Sequence, residues 1–323
     1  MNNALRRAKQ EKNDEYYTLL EDIENELSHY PTRIFKNKHV HMPCDDPAKS
    51  KFFTYFTQNF TRLQLRKLTA IHYTPGASST LTTITQNPEN ATSLHTLLQH
   101  PDNTQTPLGN NGDFQHPDNQ HVWQESDIIV TNPPFSLARA FFTHLIDTHK
   151  NFIAISNLNT MCATQMAPYL AQGLIRLGAT HRNGKITFRI MHETTTRADQ
   201  WETETGERYA RLGNVLFFTN QPHDVTPPPL QLTTPYTPET HPTYDNYPQA
   251  INCDRLKQIP AGYTGQIGVP ITYLLHHNPN QFKIIGFSSQ LAETTRVNGH
   301  KVTTDFVIDN VRKYTRVVIQ ASH

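Results

Sequence analysis

The chain carries no excess of charge of either sign, no cysteine framework and no apolar run long enough to cross a bilayer. Lysine and arginine number 29 against 28 aspartates and glutamates, so a surface for a polyanion has to be a local patch. Cys44, Cys162 and Cys253 lie far apart with no Cys-x-x-Cys pair, which argues against a disulfide scaffold and a zinc site and suits an intracellular chain. The 18 histidines are scattered without a His-Glu-x-x-His spacing and read as compositional, so no metal is expected. Arg6, Arg7, Lys9, Glu11 and Lys12 open the chain with charge and no apolar leader follows, so a soluble, cytoplasmic protein with no membrane partner is expected. A Gly-x-Gly-x-x-Gly fingerprint is also missing, which leaves a dinucleotide site without support. There is no internal repeat, and 323 residues suffice for one large or two modest domains.

What is present gathers around Asp127-Ile128-Ile129-Val130-Thr131, followed by Asn132-Pro133-Pro134-Phe135. The β-branched run suits a strand covered on both faces, and two prolines then remove the donors that would extend its ladder. Asn132 is left at the carboxyl edge, where ligands sit in open α/β sheets. Its side-chain carbonyl and the backbone carbonyl of Pro133 form an acceptor pair matched to a planar NH2 group, that of adenine or of a carboxamide. Phe135 can stack on a flat ring. A plain loop is the bland alternative, since Asn and Pro are ordinary turn residues. The strand before the turn and the amphipathic stripe after it, Leu137, Phe141 and Leu145 with Ala138, Phe142 and Ile146, supply the context a motif needs.

Other segments build the frame. Residues 1 to 30 read as a polar arm with Asp14-Glu15-Tyr16-Tyr17-Thr18, then an acidic helix through Ile23 and Leu27 of ordinary solvated type. A strand at 38–44 ends in Pro43-Cys44, after which Asp46 as N-cap and Pro47 at the first helical position predict a helix start, with Phe52, Phe56 and Phe60 as a buried stripe. Asp45 at this corner is placed to accept bonds from a cofactor amine or ribose. Leu68 to Tyr73 forms a second strand, and the Thr-, Asn-, Gln- and Pro-rich stretch of about 74–109 reads as a surface insertion. In Asn110-Asn111-Gly112-Asp113-Phe114, the Asp113 carboxylate and the Phe114 ring can take an adenine's amine and face, though such a turn is equally ordinary as loop. Phe152 to Ile155 and a helix through Met166, Leu170, Leu174 and Ile175 continue a βαβα alternation, which implies a doubly wound, mostly parallel sheet. Eight prolines from Pro222 to Pro248 make an extended connection, and β-like runs follow to the end.

Taken together, the Asp-Glu-Tyr-Tyr-Thr entry, the Cys-Asp-Asp-Pro corner, the Asn-Gly-Asp-Phe and Asn-Pro-Pro-Phe core and the later blocks Tyr244-Asp245-Asn246-Tyr247, Gly268-Val269-Pro270-Ile271-Thr272 and Asn278-Pro279-Asn280-Gln281-Phe282 resemble the EcoRI-type adenine-specific DNA methyltransferases over nearly the whole length. The resemblance implies a class I, Rossmann-like fold and S-adenosylmethionine as cofactor, touched by Tyr17, Thr18, Asp45, Asp46, Asp113 and Phe114. Asn132, Pro133, Pro134 and Phe135 would hold the target adenine, flipped out of double-stranded DNA and methylated at N6, as in restriction-modification systems. It further implies a catalytic domain at 1–220, a Pro-rich connection at 221–248 and a C-terminal β-rich region at 249–323 that recognises DNA. Arg182, Lys185 and Arg189 near His181 are candidate phosphate contacts, with a solvated charged face as the commoner explanation for any single one. The Thr/Gln-rich insertion after Tyr73 departs from the family pattern. An RNA base or a protein glutamine is a rival acceptor for the same carbonyl pair, and a catalytically silent nucleic-acid-binding relative is a second rival.

Overall fold

The β-branched run ahead of the Asn-Pro-Pro turn forms a strand with all four residues buried, in the middle of a mixed α/β architecture. A computed structural model describes residues 16–74, 76–181, 185–190, 199–297, 301–303 and 305–322. The chain divides into two compact units, Met1–Asn157 with Gly178–Asp224 and Leu158–Leu177 with Val225–His323.

In the first unit the elements are β1 (Tyr16–Thr18), α1 (Leu20–Ser28), β2 (His39–Met42), α2 (Lys51–Gln58), β3 (Lys67–Ile71), β4 (Thr80–Ile84), β5 (Thr104–Pro107), α3 (Gln120–Glu125), β6 (Ile128–Thr131), α4 (Ala138–Asp147), β7 (Asn151–Asn157), β8 (Lys185–Ile190), β9 (Asp199–Glu202), β10 (Arg208–Gly213) and β11 (Val215–Thr219). The larger sheet runs β5-β4-β3-β2-β6-β7-β11. Its middle is parallel, β2 to β3, β2 to β6 and β6 to β7, whereas β4, β5 and β11 pair antiparallel. From β2 the chain goes through α2 to β3 on one side and only later to β6 on the other. The tips of β2 and β6 therefore flank the crevice where a strand order reverses, the usual ligand position. A second, antiparallel sheet runs β1-β8-β10-β9.

The stretch expected to be a surface insertion instead widens the large sheet. Its Thr-rich alternation suits strands, so Thr80–Ile84 pairs with β3 and Thr104–Pro107 extends the edge, with Thr82, Ile84 and Leu97 buried. The helix start also moves. Asp46 closes one turn, its Oδ1 accepting the Ala48 N–H at 2.9 Å, and α2 begins only after Ser50, whose hydroxyl oxygen accepts the N–H groups of Phe52 and Phe53. Aromatics cover more than one stripe of α2, with Phe52, Phe53, Tyr55 and Phe56 all buried.

Three ionisable side chains of β2 and α1 lie in the core without any warning from composition. The rings of His39 and His41 on β2 share the Thr69 hydroxyl at 2.7 and 2.9 Å, and desolvation lowers their pKa values to about 4 and about 3. On α1, read from sequence as a solvated helix, Glu26 is fully buried. Its carboxylate accepts the Ala179 and Thr180 N–H groups at 2.8 Å each, the Thr180 hydroxyl and the Tyr30 phenol. Glu26 thereby holds the entry to β8, and Gly178 is required there because a Cβ would collide with that carboxylate and with Phe217.

The second unit is built on a sheet of β12 (Thr243–Tyr244), β13 (Tyr247–Asn252), β14 (Gln266–Pro270), β15 (Phe282–Phe287) and β16 (Arg316–Ala321), ordered β12-β13-β14-β16-β15. Its sequence blocks act as internal ties. Asn246 binds the Val307 N–H and the Glu293 and Asp305 carbonyls, and Tyr244 donates to Asn252 and the Gly268 carbonyl. Asn278 and Gln281 satisfy the proline-rich connection at Pro227 and Leu230, which needs side chains because prolines supply no ladder donors.

Candidate active site

One buried carboxylate joins the tips of β2 and β6. Asp45, three residues past β2 and 6% exposed, accepts the Ser50 hydroxyl at 2.6 Å on one oxygen and the Thr131 hydroxyl on the other, together with the backbone N–H of Asn132. Desolvation pushes its pKa up to about 6, opposed by these three donors. The neighbouring Cys44 thiol is pushed up as well, by burial and then by the charges of Asp45 and Asp113.

Beside this corner lies the start of the antiparallel sheet. Asp46 pairs with Lys49 at 3.7 Å, and the Lys49 ammonium sits 5.9 Å from the centroid of the Tyr17 ring. Thr18 is buried, and its hydroxyl oxygen finds no hydrogen-bond partner among the described residues. An orphaned buried hydroxyl is costly, on the order of 1–3 kcal/mol, and fits a position completed by a ligand. Thr18 stands opposite Phe188 on β8, and Phe188 meets Phe135 edge to face.

The Asn110–Phe114 segment is held rigidly. Gly112 adopts φ +81°, and a Cβ there would lie 2.5 Å from the His72 carbonyl and 2.8 Å from the Ser79 hydroxyl, so only glycine fits. The side chains of Asn110 and Asn119 pair with each other, Asn119 also donates to the Asp113 carbonyl at 2.7 Å, and Gln120 donates to that of Phe114 at 2.8 Å. The half-buried Asp113 carboxylate accepts the Gln115 N–H at 2.9 Å and raises the pKa of Tyr73 secondarily to burial. Phe114 sits deeper than a stacking platform would. Its ring is 6% exposed and packs on Trp123, Phe141 and His144.

At the Asn-Pro-Pro-Phe turn, Asn132 is half-buried and Pro133 buried. Pro134 is extended, and its carbonyl accepts the Leu137 N–H at 2.9 Å to start the short helical turn Phe135–Leu137 that runs into α4. The Pro133 carbonyl accepts no hydrogen bond among the described residues. Ala138, Phe141, Phe142 and Leu145 anchor α4 in the core, so the turn is presented by rigid elements on both sides.

All ten residues singled out from sequence fall in the first unit. Asp45 is bonded directly to the strand tip that carries Asn132, Asp46 reaches Tyr17 through Lys49, and Thr18 reaches Phe135 through Phe188. Ser50, Lys49, Thr131 and Phe188 were not foreseen. A serine before an apolar run is an N-cap signal that points to Ser50, but nothing local marks Phe188. Of the phosphate candidates, Arg189 is half-exposed and pairs with Glu207 at 3.1 Å, while Arg182 and the Lys185 side chain, like Asp14 and Glu15, lie outside the described residues.

Comparison with known proteins then decides the family. Residues 4–322 match the family described as adenine-specific methyltransferase EcoRI. The chain belongs to this EcoRI-type family. It is similar to the type II methyltransferase M.EcoRI of Escherichia coli, 35% identical over 96% of this chain and 97% of that protein. The type II methyltransferases M.MgeORF184P of Mycoplasma genitalium and M.MpnI of Mycoplasma pneumoniae are each 29% identical, over 97% of both chains. No solved structure matches. Among the described residues no helix is long and apolar enough to cross a membrane.

Proposed function

We propose that this adenine-specific methyltransferase acts on duplex DNA, carrying the methyl group of S-adenosylmethionine to N6 of an adenine rotated out of the helix. The observation that supports the reading is the Asp45 linkage, which ties the corner after β2 to the Asn-Pro-Pro-Phe turn on one sheet edge, where a cofactor and a base would lie side by side. The sheet would then be the doubly wound core of a class I methyltransferase, and the region 249–323 would recognise DNA.

The Thr18 hydroxyl and the Asp45 and Asp113 carboxylates suit a ligand rich in amino and hydroxyl groups, with Tyr17 and Asp46 bordering it and the edge of Phe114 closing it. S-adenosylmethionine, when bound, supplies an electrophilic methyl carbon on a positively charged sulfur. Asn132 and the Pro133 carbonyl would accept the two N–H bonds of the adenine amine, each contributing about 1 kcal/mol net and more in a dry pocket. They move electron density onto a nitrogen whose lone pair the ring withdraws. Pro134 fixes the turn, and stacking on Phe135 adds about 1–3 kcal/mol. Together these offset the few kcal/mol that rotating a base out of a duplex costs. The transfer is in-line, with positioning as the enzyme's main contribution. No general base is required, because the amine becomes acidic as it is methylated and loses its proton late, to solvent.

Incubating the protein with radiolabelled S-adenosylmethionine and duplex DNA, RNA or protein, then digesting the products to nucleosides or amino acids, tests this. Label in N6-methyladenine from DNA is the expected result. Label only in RNA or in glutamine would transfer the reading to that acceptor, and no label in any would overturn it.

A further inference from the structure

Side chains directly opposite one another in an antiparallel sheet share a face, and in β1-β8-β10-β9 the pairings Tyr17 with Arg189, Arg189 with Tyr209 and Tyr209 with Trp201 put these four in one row. The other face, carrying Ile186, Phe188, Ile190, Ala210 and Leu212, is buried. Rings and cations gather along this row. Lys49 lies over Tyr17, Trp201 stacks on Tyr209 with centroids 5.7 Å apart at 19°, and the Arg211 guanidinium sits 5.5 Å from the Trp201 ring. Trp201 is 40% exposed, although it is a large apolar side chain.

We infer that this outer face is a contact surface for duplex DNA, with Trp201, Tyr209 and Arg211 as its far end and Tyr17 as the end nearest the cofactor corner. The inference rests on the reading that DNA is the substrate. Two features favour DNA over a protein partner. Among the described residues this face carries aromatic and cationic groups without a large aliphatic side chain, which suits bases, sugars and phosphates. The sheet's other, buried face carries Phe188, which meets Phe135, so this surface lies one sheet thickness from the turn that would receive the base. Four strands at about 4.8 Å spacing carry the row roughly 14 Å from Tyr17 to Trp201. Acids oppose the charge locally: Glu207 on Arg189 and the Tyr209 phenol, Asp46 on Lys49, and for Arg211 both Asp199, opposite it on the same face, and Asp22. Exposed pairs of this kind are weak enough for a phosphate to displace the carboxylate.

The chain has two tryptophans, and the other, Trp123, is buried with its indole N–H on Thr148. Iodide quenching of tryptophan emission therefore reports on Trp201. With the full-length protein and mixed-sequence duplex DNA, the duplex is expected to shield the emission from iodide, and Trp201→Phe to abolish that change. Trp201→Ala and Arg211→Gln are each expected to weaken duplex binding about tenfold while S-adenosylmethionine binding stays within about twofold. Duplex binding at wild-type affinity by both variants, or with Trp201 still open to iodide, would overturn the inference and leave the face to a protein partner. Methylation of DNA by the wild-type protein is scored separately, so loss of this surface and loss of the proposed function give different results.

Discussion

Phe135 and Phe188 meet edge to face, their ring centroids 6.3 Å apart and their planes at 90°. One belongs to the Asn-Pro-Pro-Phe turn and the other, fully buried, to a strand of the second sheet. Such a contact contributes about 0.5–1.5 kcal/mol beyond the area it buries, and it fixes the orientation of the ring that the proposed adenine would meet.

Asn132→Ala removes the side-chain acceptor and leaves the Asp45 corner in place, because Asp45 holds the backbone N–H of residue 132. Turnover should fall on the order of 100-fold, the scale of a misplaced reactant, with S-adenosylmethionine affinity nearly unchanged in calorimetry. An unaltered turnover would remove Asn132 from the chemistry.

Thr18→Val replaces a hydroxyl that has no partner among the described residues by a methyl group of similar size. The urea midpoint should stay the same or rise slightly, while S-adenosylmethionine affinity drops about fivefold to tenfold. A large loss of stability with unchanged affinity would show that the hydroxyl serves the fold alone.

Acid should weaken the fold through its histidines and be partly opposed by Asp45. His39 and His41 titrate near 4 and 3 when folded and near 6.5 when unfolded, so between those values the unfolded chain binds more protons and stability falls as pH falls. Asp45 works the other way. Its folded pKa of about 6 lies above the unfolded value of 3.8, so between them the folded chain binds the proton and stability rises as pH falls, by about 3 kcal/mol at the limit. Two histidines outweigh one carboxylate, giving a net loss from pH 6.5 to 4 in denaturant titrations, and Asp45→Asn should steepen it. A shallower slope in that variant would contradict the assignment.

Glu26→Gln keeps the shape of the side chain but points an NH2 group at neighbours that are donors, the N–H groups of Ala179 and Thr180 and two hydroxyls. A cost of about 3 kcal/mol is expected, read as a lower urea midpoint at unchanged slope. Because Glu26 holds the segment ahead of β8, amide exchange should accelerate first at residues 179–181 and 185–190.

The segments of the candidate site were readable in the sequence because their turn chemistry is local. A β-branched run stopped by two prolines places Asn132 at a strand tip, and Asp45 and Asp113 stand within short turns whose residues announce themselves. What stayed hidden depends on pairing across the chain. Glu26 reads as one more acid on a polar helix until Ala179 and Thr180 are seen beside it, and Phe188 is one apolar residue of an alternating strand until it meets Phe135. The 74–109 stretch lacks large apolar residues because it forms an edge, where threonines suffice, so low hydrophobicity resembled a loop. The helix start was misplaced by four residues because Asp46-Pro47 and Ser50 both carry capping chemistry and only one can open α2.

The strand Tyr16–Thr18 finds its hydrogen-bonding neighbour in Phe188–Ile190, far along the chain, so this strand waits for its seat until most of its unit has been made. Closing so long a loop is slow compared with forming nearby contacts. A nascent chain therefore cannot set Thr18 beside Phe188, and cannot complete the proposed cofactor corner, until translation has passed residue 190.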